Sequence, residues 1–322
     1  MITWRNGTVS GTRREWPGAV ELDVSVDGAS AEGEQVRALA YPALTGRPRP
    51  GDRVLVNTTA LDLGLGTGGY ALVVALPDRL PPDPELAGLL AAERSRPDRS
   101  GSGQAPRVVY VMQDGGALPA WFSRTCATLR EAGWLAATVT TGQSFGGDLE
   151  TVTVHTGLLA ARHVLGADIA VIAQGPGNLG TGTRWGFSGV AAGDAVNAVA
   201  ALGGRPVASL RISDADPRMR HRGVSHHSLT AYGRVALARA DVVVPALAGE
   251  FGAQVAAEAA PLGGRHNLVT VPADGLEAAL RACPARLSTM GRGLDEDLAY
   301  FLAAAAAGRH ARRLLREVPS PA

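Results

Sequence analysis

From residue 107 onward, short apolar runs alternate with stretches of helical pattern, and this alternation restricts the possible fold more than any other feature. Such runs are typical of strands that are buried on both faces of a parallel sheet, with helices as the crossover connections. The runs are 108–112, 135–139, 168–173, 206–212, 242–245 and 268–271. Because their spacing is irregular and no internal repeat occurs, we predict an α/β fold over residues 107–322, with an open doubly wound, mostly parallel sheet rather than a closed barrel.

The N-terminal part of the chain has the residue pattern of short antiparallel strands. Residues 20–26 alternate apolar and polar side chains, which is typical of a half-buried strand. We therefore predict a small antiparallel β domain, a barrel or a sandwich, over residues 1–76. Residues 77–106 contain six prolines and the sequence Ser100-Gly101-Ser102-Gly103, so a Pro/Gly-rich linker is predicted there.

The composition excludes several mechanisms and partners. With 31 basic and 30 acidic residues, the net charge of +1 gives no electrostatic basis for binding nucleic acid or an anionic membrane. All 31 basic residues are arginine, so neither a Schiff-base lysine nor a P-loop lysine operates here. Cys126 and Cys283 are too few for a disulfide framework. Since the start lacks the apolar stretch of a signal peptide, we expect a cytoplasmic protein, with a homodimer as the default assembly.

Ligands of open parallel sheets bind at the loops that leave the carboxyl ends of the strands, and here those loops are rich in glycine and polar residues. The loop after the first strand contributes Asp114, as a substrate-binding carboxylate or as a turn former. The next loop contributes Asp148 and Glu150, which could hold a metal or act as a general base. Alternatively, Asp148 caps a helix over 149–165 and Glu150 lies in its first turn.

The loop over residues 174–189 has the composition of an anion cradle. Its glycines let backbone N–H groups point inward, and hydroxyl and guanidinium groups add further donors. The match of 175–180 to G-x-G-x-x-G is weak, because Pro176 and the long insertion do not suit a dinucleotide turn. A purely structural glycine loop is the alternative. The candidate substrate-binding residues are Gly175, Gly177, Gly180, Thr181, Gly182, Thr183 and Arg184.

The loop over residues 213–227 carries the densest set of reactive side chains. Three of the seven histidines lie here with two carboxylates and three arginines. A solvated charge run is the usual interpretation, but this segment follows a buried strand at the edge where sites form. We interpret its histidines as acid or base and its arginines as an anion clamp. The candidate catalytic residues are His221, His226, His227, Asp148 and Asp214, and the candidate clamp is Arg218 with Arg220.

The same loop also admits a divalent metal as cofactor. His221 with one of the neighbouring histidines and a carboxylate would make a reasonable metal-ligand set. His226 and His227 are adjacent, so on a regular helix they would point about 100° apart, and both could bind one ion only from an irregular segment. The candidate metal-binding carboxylates are Asp216 and Glu150.

Several of these stretches also carry a resemblance to a known family. Residues 146–150, 175–183 and 211–227, together with the glycine loop 63–69 in the β domain, resemble a bacterial, largely actinobacterial family of unknown function. The resemblance spans nearly the whole chain. It implies no activity, so no residue role is carried over, but it suggests that loop 63–69 belongs with the larger loops.

Two hypotheses for function follow from these residues. The first is a small-molecule enzyme with hydrolase-like acid/base chemistry, metal-dependent or not, on a phosphorylated or carboxylated metabolite. The second is a non-catalytic sensor that binds a nucleotide or another metabolite at the same loops. Tight ligand binding without conversion would distinguish the sensor from the enzyme.

Overall fold

A computed structural model of the chain describes residues 2–27, 34–64, 69–81 and 105–317. The chain divides into two compact units, a smaller one of Met1–Ser95 with Trp121–Ala127 and a larger one of Arg96–Ala120 with Thr128–Ala322. Most of the predicted linker, residues 82–104, and the centre of the glycine loop, residues 65–68, lie outside the described residues.

The smaller unit is a β-barrel. Its strands and short helices are β1 (Trp4–Trp16), β2 (Ala19–Val26), β3 (Glu34–Ala40), α1 (Pro42–Thr45), β4 (Arg53–Asn57), α2 (Thr59–Asp62) and β5 (Ala71–Ala75). Within the described residues the strands close in the order β1-β2-β3-β5-β4, with β3 and β5 parallel and the other neighbours antiparallel. Leu22, Val24 and Val56 are completely buried in its interior, because alternate residues of a strand point to the same face.

The larger unit alternates strands and helices. Its strands are β6 (Val108–Gln113), β7 (Ala137–Thr141), β8 (Leu149–Thr151), β9 (Ile169–Gln174), β10 (Val207–Ser209), β11 (Ile212–Ser213), β12 (Gly223–Val224), β13 (Asp241–Ala246) and β14 (Asn267–Pro272). The helices are α3 (Arg124–Glu131), α4 (Val154–Leu159), α5 (Ala191–Ala201), α6 (His226–Thr230), α7 (Gly249–Ala259), α8 (Leu276–Arg281) and α9 (Leu298–Glu317), of which α3 begins in the smaller unit. This confirms an α/β fold.

The parallel strands of the larger unit divide between two sheets, and this differs from the single sheet expected from the sequence. One sheet has the order β8-β7-β6-β9 and the other β10-β13-β14, and all neighbours in both are parallel. A cavity of about 660 Å³ separates β9 from β10 and is lined by Ile169, Ile172 and Val207, among others. The apolar runs therefore identified the strands, whereas one continuous doubly wound sheet is not confirmed.

Two predicted helices differ in the structure because tertiary contacts override the local pattern. Residues 149–151, expected to begin a helix, form strand β8 and pair with β7. Helix α4 begins only after Thr153, whose hydroxyl accepts a hydrogen bond from the backbone N–H of Thr156 in a capping box. The sequence pattern also predicts a helix over about 227–239, whereas the structure has the short α6 followed by a π-helical turn, Ala231–Val235.

The valine-rich strands form the core that fixes the strand ends. Val109, Val111 and Val139 are completely buried in the first sheet, and Val242 and Val243 in the second. Because neighbouring strands run parallel, the loops that follow β6, β7 and β9 leave their sheet at the same edge. Among the described helices, none combines the length and hydrophobicity that a membrane crossing requires.

Two adjacent valines of β5 provide a test of the barrel interior. Val73 is 5% exposed and Val74 is 41% exposed. We expect Val73→Ala to lower the free energy of unfolding of the barrel by about 2 kcal/mol, since it removes buried methyl groups and leaves a cavity. Val74→Ala should change it by less than about 0.5 kcal/mol. Denaturant unfolding followed by tryptophan fluorescence measures both, and equal effects would contradict the described inward face of β5.

Candidate functional site

Hydrogen bonds join the loops that follow β6, β7 and β9. In the first loop, Asp114 Oδ2 accepts from the backbone N–H of Gln143 at 3.0 Å. The backbone carbonyl of Asp114 accepts from Gln174 Nε2, also at 3.0 Å. Three loops that the sequence singled out therefore meet, with the exposed Asp114 at their junction. Its substrate-binding role stays a prediction.

The loop over 174–189 folds back on itself. Gly180 and Phe187 form an antiparallel bridge. The hydroxyl groups of Thr181 and Thr183 hydrogen-bond to each other at 2.8 Å. Only one of the two hydroxyls donates in this bond and both residues are exposed, so the other hydroxyl can still donate to an anion. The anion binding predicted for them stays a prediction.

Two glycines of the same loop have structural explanations. Gly175 packs so closely on Met112 that a Cβ atom would overlap the Met112 side chain. Gly177 has φ 82°, in the left-handed region that favours glycine. Gly182 and Arg184, by contrast, lie on the exposed part of the loop and remain accessible to a ligand.

Asp148 and Glu150 stabilise the loop after β7 rather than a helix start. The carboxylate of Asp148 accepts from the backbone N–H of Thr138 at 2.8 Å and pairs with Arg130 at 2.8 Å. Glu150 lies on strand β8 and accepts from the backbone N–H of Gly146 at 3.0 Å. The interpretation as N-cap and first-turn acid is therefore wrong. Neither carboxylate belongs to the metal-compatible cluster found among the described residues.

Asp216 is a buried carboxylate surrounded by arginines. Its side chain is completely buried, and Arg218 donates to both oxygens, from Nε at 2.9 Å and from Nη2 at 2.8 Å. Arg211 and Arg292 contact the same carboxylate at 3.1 and 3.4 Å. The hydrogen bonds from Arg218 hold the pKa of Asp216 well below its usual range. Asp216 therefore anchors the loop and is not available as the predicted metal ligand, while Asp214 is exposed.

A second buried carboxylate, which the sequence reasoning missed, extends this network. Asp297 accepts from Ser213 Oγ at 2.8 Å and from Arg292 Nε at 3.0 Å. Ser213 Oγ also accepts from the backbone N–H of Asp216 at 2.9 Å. The feature of the sequence that could have indicated this network is the arginine between Gly291 and Gly293, just before the last helix. The ion pairs thus connect two segments that lie far apart in the sequence.

The three histidines of the loop over 213–227 converge. One ligand nitrogen from each of His221, His226 and His227 lies within 4.8 Å of the other two. The ring centroids are 4.3 Å apart for His226 and His227, and 5.0 and 4.7 Å from His221 to these two. His221 lies in a 3₁₀ turn, and the other two are the first residues of α6. The ligand nitrogens therefore converge although His226 and His227 are consecutive residues of one helix.

All three rings are held in the neutral form at neutral pH. Burial, followed by the charges of Arg211 and Arg218, lowers the pKa of His221 to about 3. Burial and the neighbouring His226 lower the pKa of His227 to about 4. Burial and then Arg220 lower the pKa of His226 as well. The cluster therefore offers imidazole lone pairs rather than positive charge.

Ser225 and Phe187 hold the histidine rings in place. Ser225 Oγ is 2.7 Å from His221 Nδ1 and accepts from the backbone N–H of His227, which caps α6. The ring of Phe187 stacks on that of His227 with centroids 3.8 Å apart and planes 7° apart. Since Phe187 belongs to the loop over 174–189, the two loops meet at the histidines.

The other four histidines lie apart from this cluster. His155 and His163 are exposed on the larger unit. His266 is buried and accepts from the backbone N–H of Ala240 at 3.2 Å. His310 is buried with Nε2 2.8 Å from Asp241 Oδ2. The buried pair therefore serves packing and hydrogen bonding in the core.

The fold and the site define an α/β protein with a three-histidine cluster next to paired arginines, on loops at the carboxyl ends of parallel strands. The chain belongs to a family described as protein of unknown function (DUF3866), whose sequence model matches residues 37–95 and 91–308. This confirms the resemblance to a family of unknown function. No curated protein and no solved structure matches the chain significantly.

Replacing Asp216 tests the network beneath the histidines. We expect Asp216→Asn to lower the free energy of unfolding by about 3 kcal/mol at neutral pH, because the partly buried guanidinium groups of Arg211, Arg218 and Arg292 lose their counter-charge. Asp214→Asn is the matched control, since Asp214 is exposed in the same loop, and it should have little effect. Denaturant unfolding measures both variants.

The same variant should also change the pH dependence of stability. A carboxyl with a lowered pKa in the folded state stabilises the fold above its unfolded pKa of about 3.9, and this stabilisation is lost as the pH falls towards the folded pKa. The difference between wild type and Asp216→Asn should therefore shrink below about pH 4. A difference that stays constant between neutral and acid pH would contradict the ion-pair assignment.

Proposed function

We propose that the chain is an enzyme with hydrolase-like chemistry on a small anionic metabolite, phosphorylated or carboxylated. The observation that carries the proposal is the convergence of three neutral histidines at the edge of the sheet where ligands of parallel α/β proteins bind. In the reaction, the water oxygen bonds to the phosphorus or the acyl carbon, the bond from that atom to the leaving group breaks, and the leaving group takes up a proton from the water. The histidine cluster is the proposed centre at which that water is activated.

The charge around the cluster supports an anionic substrate. Arg211, Arg218 and Arg292 share only two buried carboxylates, so the network retains positive charge. Arg220 is exposed, and its charge is near enough to contribute to the lowered pKa values of His226 and His227, after burial as the main cause. Positive charge beside a polar site raises the local concentration of anions.

Arg220 and Arg184 are the proposed substrate-binding arginines, because both guanidinium groups are exposed. Arg218 is instead held by Asp216, and its role is to position the loop. The proposal also retains two finer descriptions of the fold, a doubly wound arrangement of the larger unit and a separate antiparallel β domain before it. They would matter for access to the site and not for its chemistry.

Replacing the accessible histidines tests the reaction centre. We expect His226→Ala with His227→Ala to lower kcat/KM by at least about 100-fold, because the group that activates water is lost. His155→Ala with His163→Ala is the control, since both residues are exposed on the same unit. Release of phosphate or of acid from a panel of phosphate esters and carboxylate-bearing esters and amides measures turnover.

Circular dichroism of the histidine variants separates loss of chemistry from loss of fold. Retained turnover in the folded double variant would refute the proposed reaction centre. Tight binding of a panel compound without conversion by the wild-type protein would instead favour a metabolite sensor.

A single arginine variant tests substrate charge. We expect Arg220→Gln to raise KM about 10-fold with little change in kcat, because one charged hydrogen bond to the substrate is lost. Arg222→Gln is the matched control, since Arg222 is also exposed but does not contribute to the lowered pKa values of the histidines. The same KM in both variants would argue against substrate binding by Arg220.

A further inference from the structure

We propose that His221, His226 and His227 bind one divalent transition-metal ion of the zinc class and leave at least one coordination position open. This inference deepens the proposed function, since it concerns the same site and names the group that activates water there. It rests on the placement of ring nitrogens, which is independent of any substrate.

The first observation is the distance between the ligand nitrogens. One nitrogen of each ring lies within 4.8 Å of the other two. A tetrahedral zinc ion with bonds of about 2.1 Å to histidine places its ligands about 3.4 Å apart. The rings therefore need to close by no more than about 1.4 Å, which side-chain rotation can supply without moving the backbone.

The second observation is that two ring nitrogens of these histidines have no hydrogen-bond partner among the described residues. The Nε2 atoms of His226 and His227 are buried and make no hydrogen bond with any described residue. Buried polar atoms of proteins are nearly always satisfied, so two such atoms in adjacent residues indicate a missing ligand. In His221, Nδ1 is bonded to Ser225, which leaves Nε2 of that ring for an ion.

The surroundings of the rings are those that metal-binding histidines have. A ligating histidine usually donates its second N–H to an acceptor that fixes the tautomer, and Ser225 Oγ is placed to accept from His221 Nδ1. Phe187 fixes the plane of the His227 ring by stacking. Neutral imidazole is also the form of histidine that binds metals.

The ligand set selects the class of metal. Imidazole nitrogens suit Zn²⁺ and its neighbours in the transition series, whereas Mg²⁺ and Ca²⁺ prefer oxygen ligands. The nearest buried carboxylate, Asp216, already pairs with three arginines and is not a member of the cluster. Three protein ligands with an open position are characteristic of catalytic zinc, while structural zinc sites have four.

The test uses the untagged full-length protein, freed of metal by dialysis against a chelator. Zn²⁺ or Co²⁺ alone is then titrated, and the stoichiometry is measured by calorimetry and elemental analysis. We expect one equivalent per chain and, for Co²⁺, the visible absorption of a tetrahedral or five-coordinate site. Binding of no metal, or binding of Mg²⁺ in preference to Zn²⁺, would overturn the inference.

Variants assign the ligands. His226→Gln and His227→Gln, at half-buried positions, should each weaken Zn²⁺ binding by at least about 100-fold. His155→Gln and His163→Gln should leave the affinity unchanged. Ser225→Ala should weaken binding by about 10-fold to 100-fold, and Ser225→Thr, which keeps the hydroxyl, should restore it. Unchanged affinity in folded His226→Gln and His227→Gln would overturn the assignment, and these two variants avoid the fully buried His221.

Two outcomes separate this inference from the proposed function. If one equivalent of Zn²⁺ binds through the three histidines but no panel compound is converted, the metal site stands and the hydrolase proposal fails. If the metal-free protein hydrolyses a panel compound, added Zn²⁺ does not change the rate and no Zn²⁺ binds, the metal site fails and the hydrolase proposal stands.

Discussion

The ion pairs of Asp216 determine where the reactive side chains of this protein lie. A buried carboxylate is strongly unfavourable unless it is paired, and here Arg211, Arg218 and Arg292 supply the counter-charge. Arg211 precedes β11, Arg218 lies in the loop, and Arg292 comes from the segment before α9. The carboxylate of Asp216 thus holds the long loop through ion pairs with three arginines. The histidines follow directly after the segment that these ion pairs hold.

The same ion pairs explain why the histidines stay uncharged. After burial, the charges of Arg211 and Arg218 contribute to the low pKa of His221, so protonation of the ring would add a further positive charge to an arginine-rich region. A site with neutral imidazoles and an excess of guanidinium groups can accept a metal cation only if anions accompany it. Hydroxide and an anionic substrate meet that requirement, which links the two proposals physically.

The sequence predicted the strands well but not their partners. Because apolar runs indicate burial, the sequence located five strands to within two residues, namely β6, β7, β9, β13 and β14. The division of the strands into two sheets depends instead on contacts that no local pattern encodes. Asp148 was misread because an acid next to a loop has the same pattern whether it caps a helix or pairs with an arginine. Arg292 was missed because its bond to Asp216 spans 76 residues.

The convergence of His226 and His227 was underestimated from the sequence, because adjacent helical residues were judged by the directions of their side chains alone. The structure has both residues in the first turn of α6, which Ser225 caps, and one nitrogen of each ring still lies close to one of His221. Ser225 also lies 2.7 Å from His221 Nδ1, so one hydroxyl group caps the helix that carries two of the rings and positions the third. A change at Ser225 therefore acts on all three histidines, and the placement of the rings depends on this buried serine as well as on the ion pairs of Asp216.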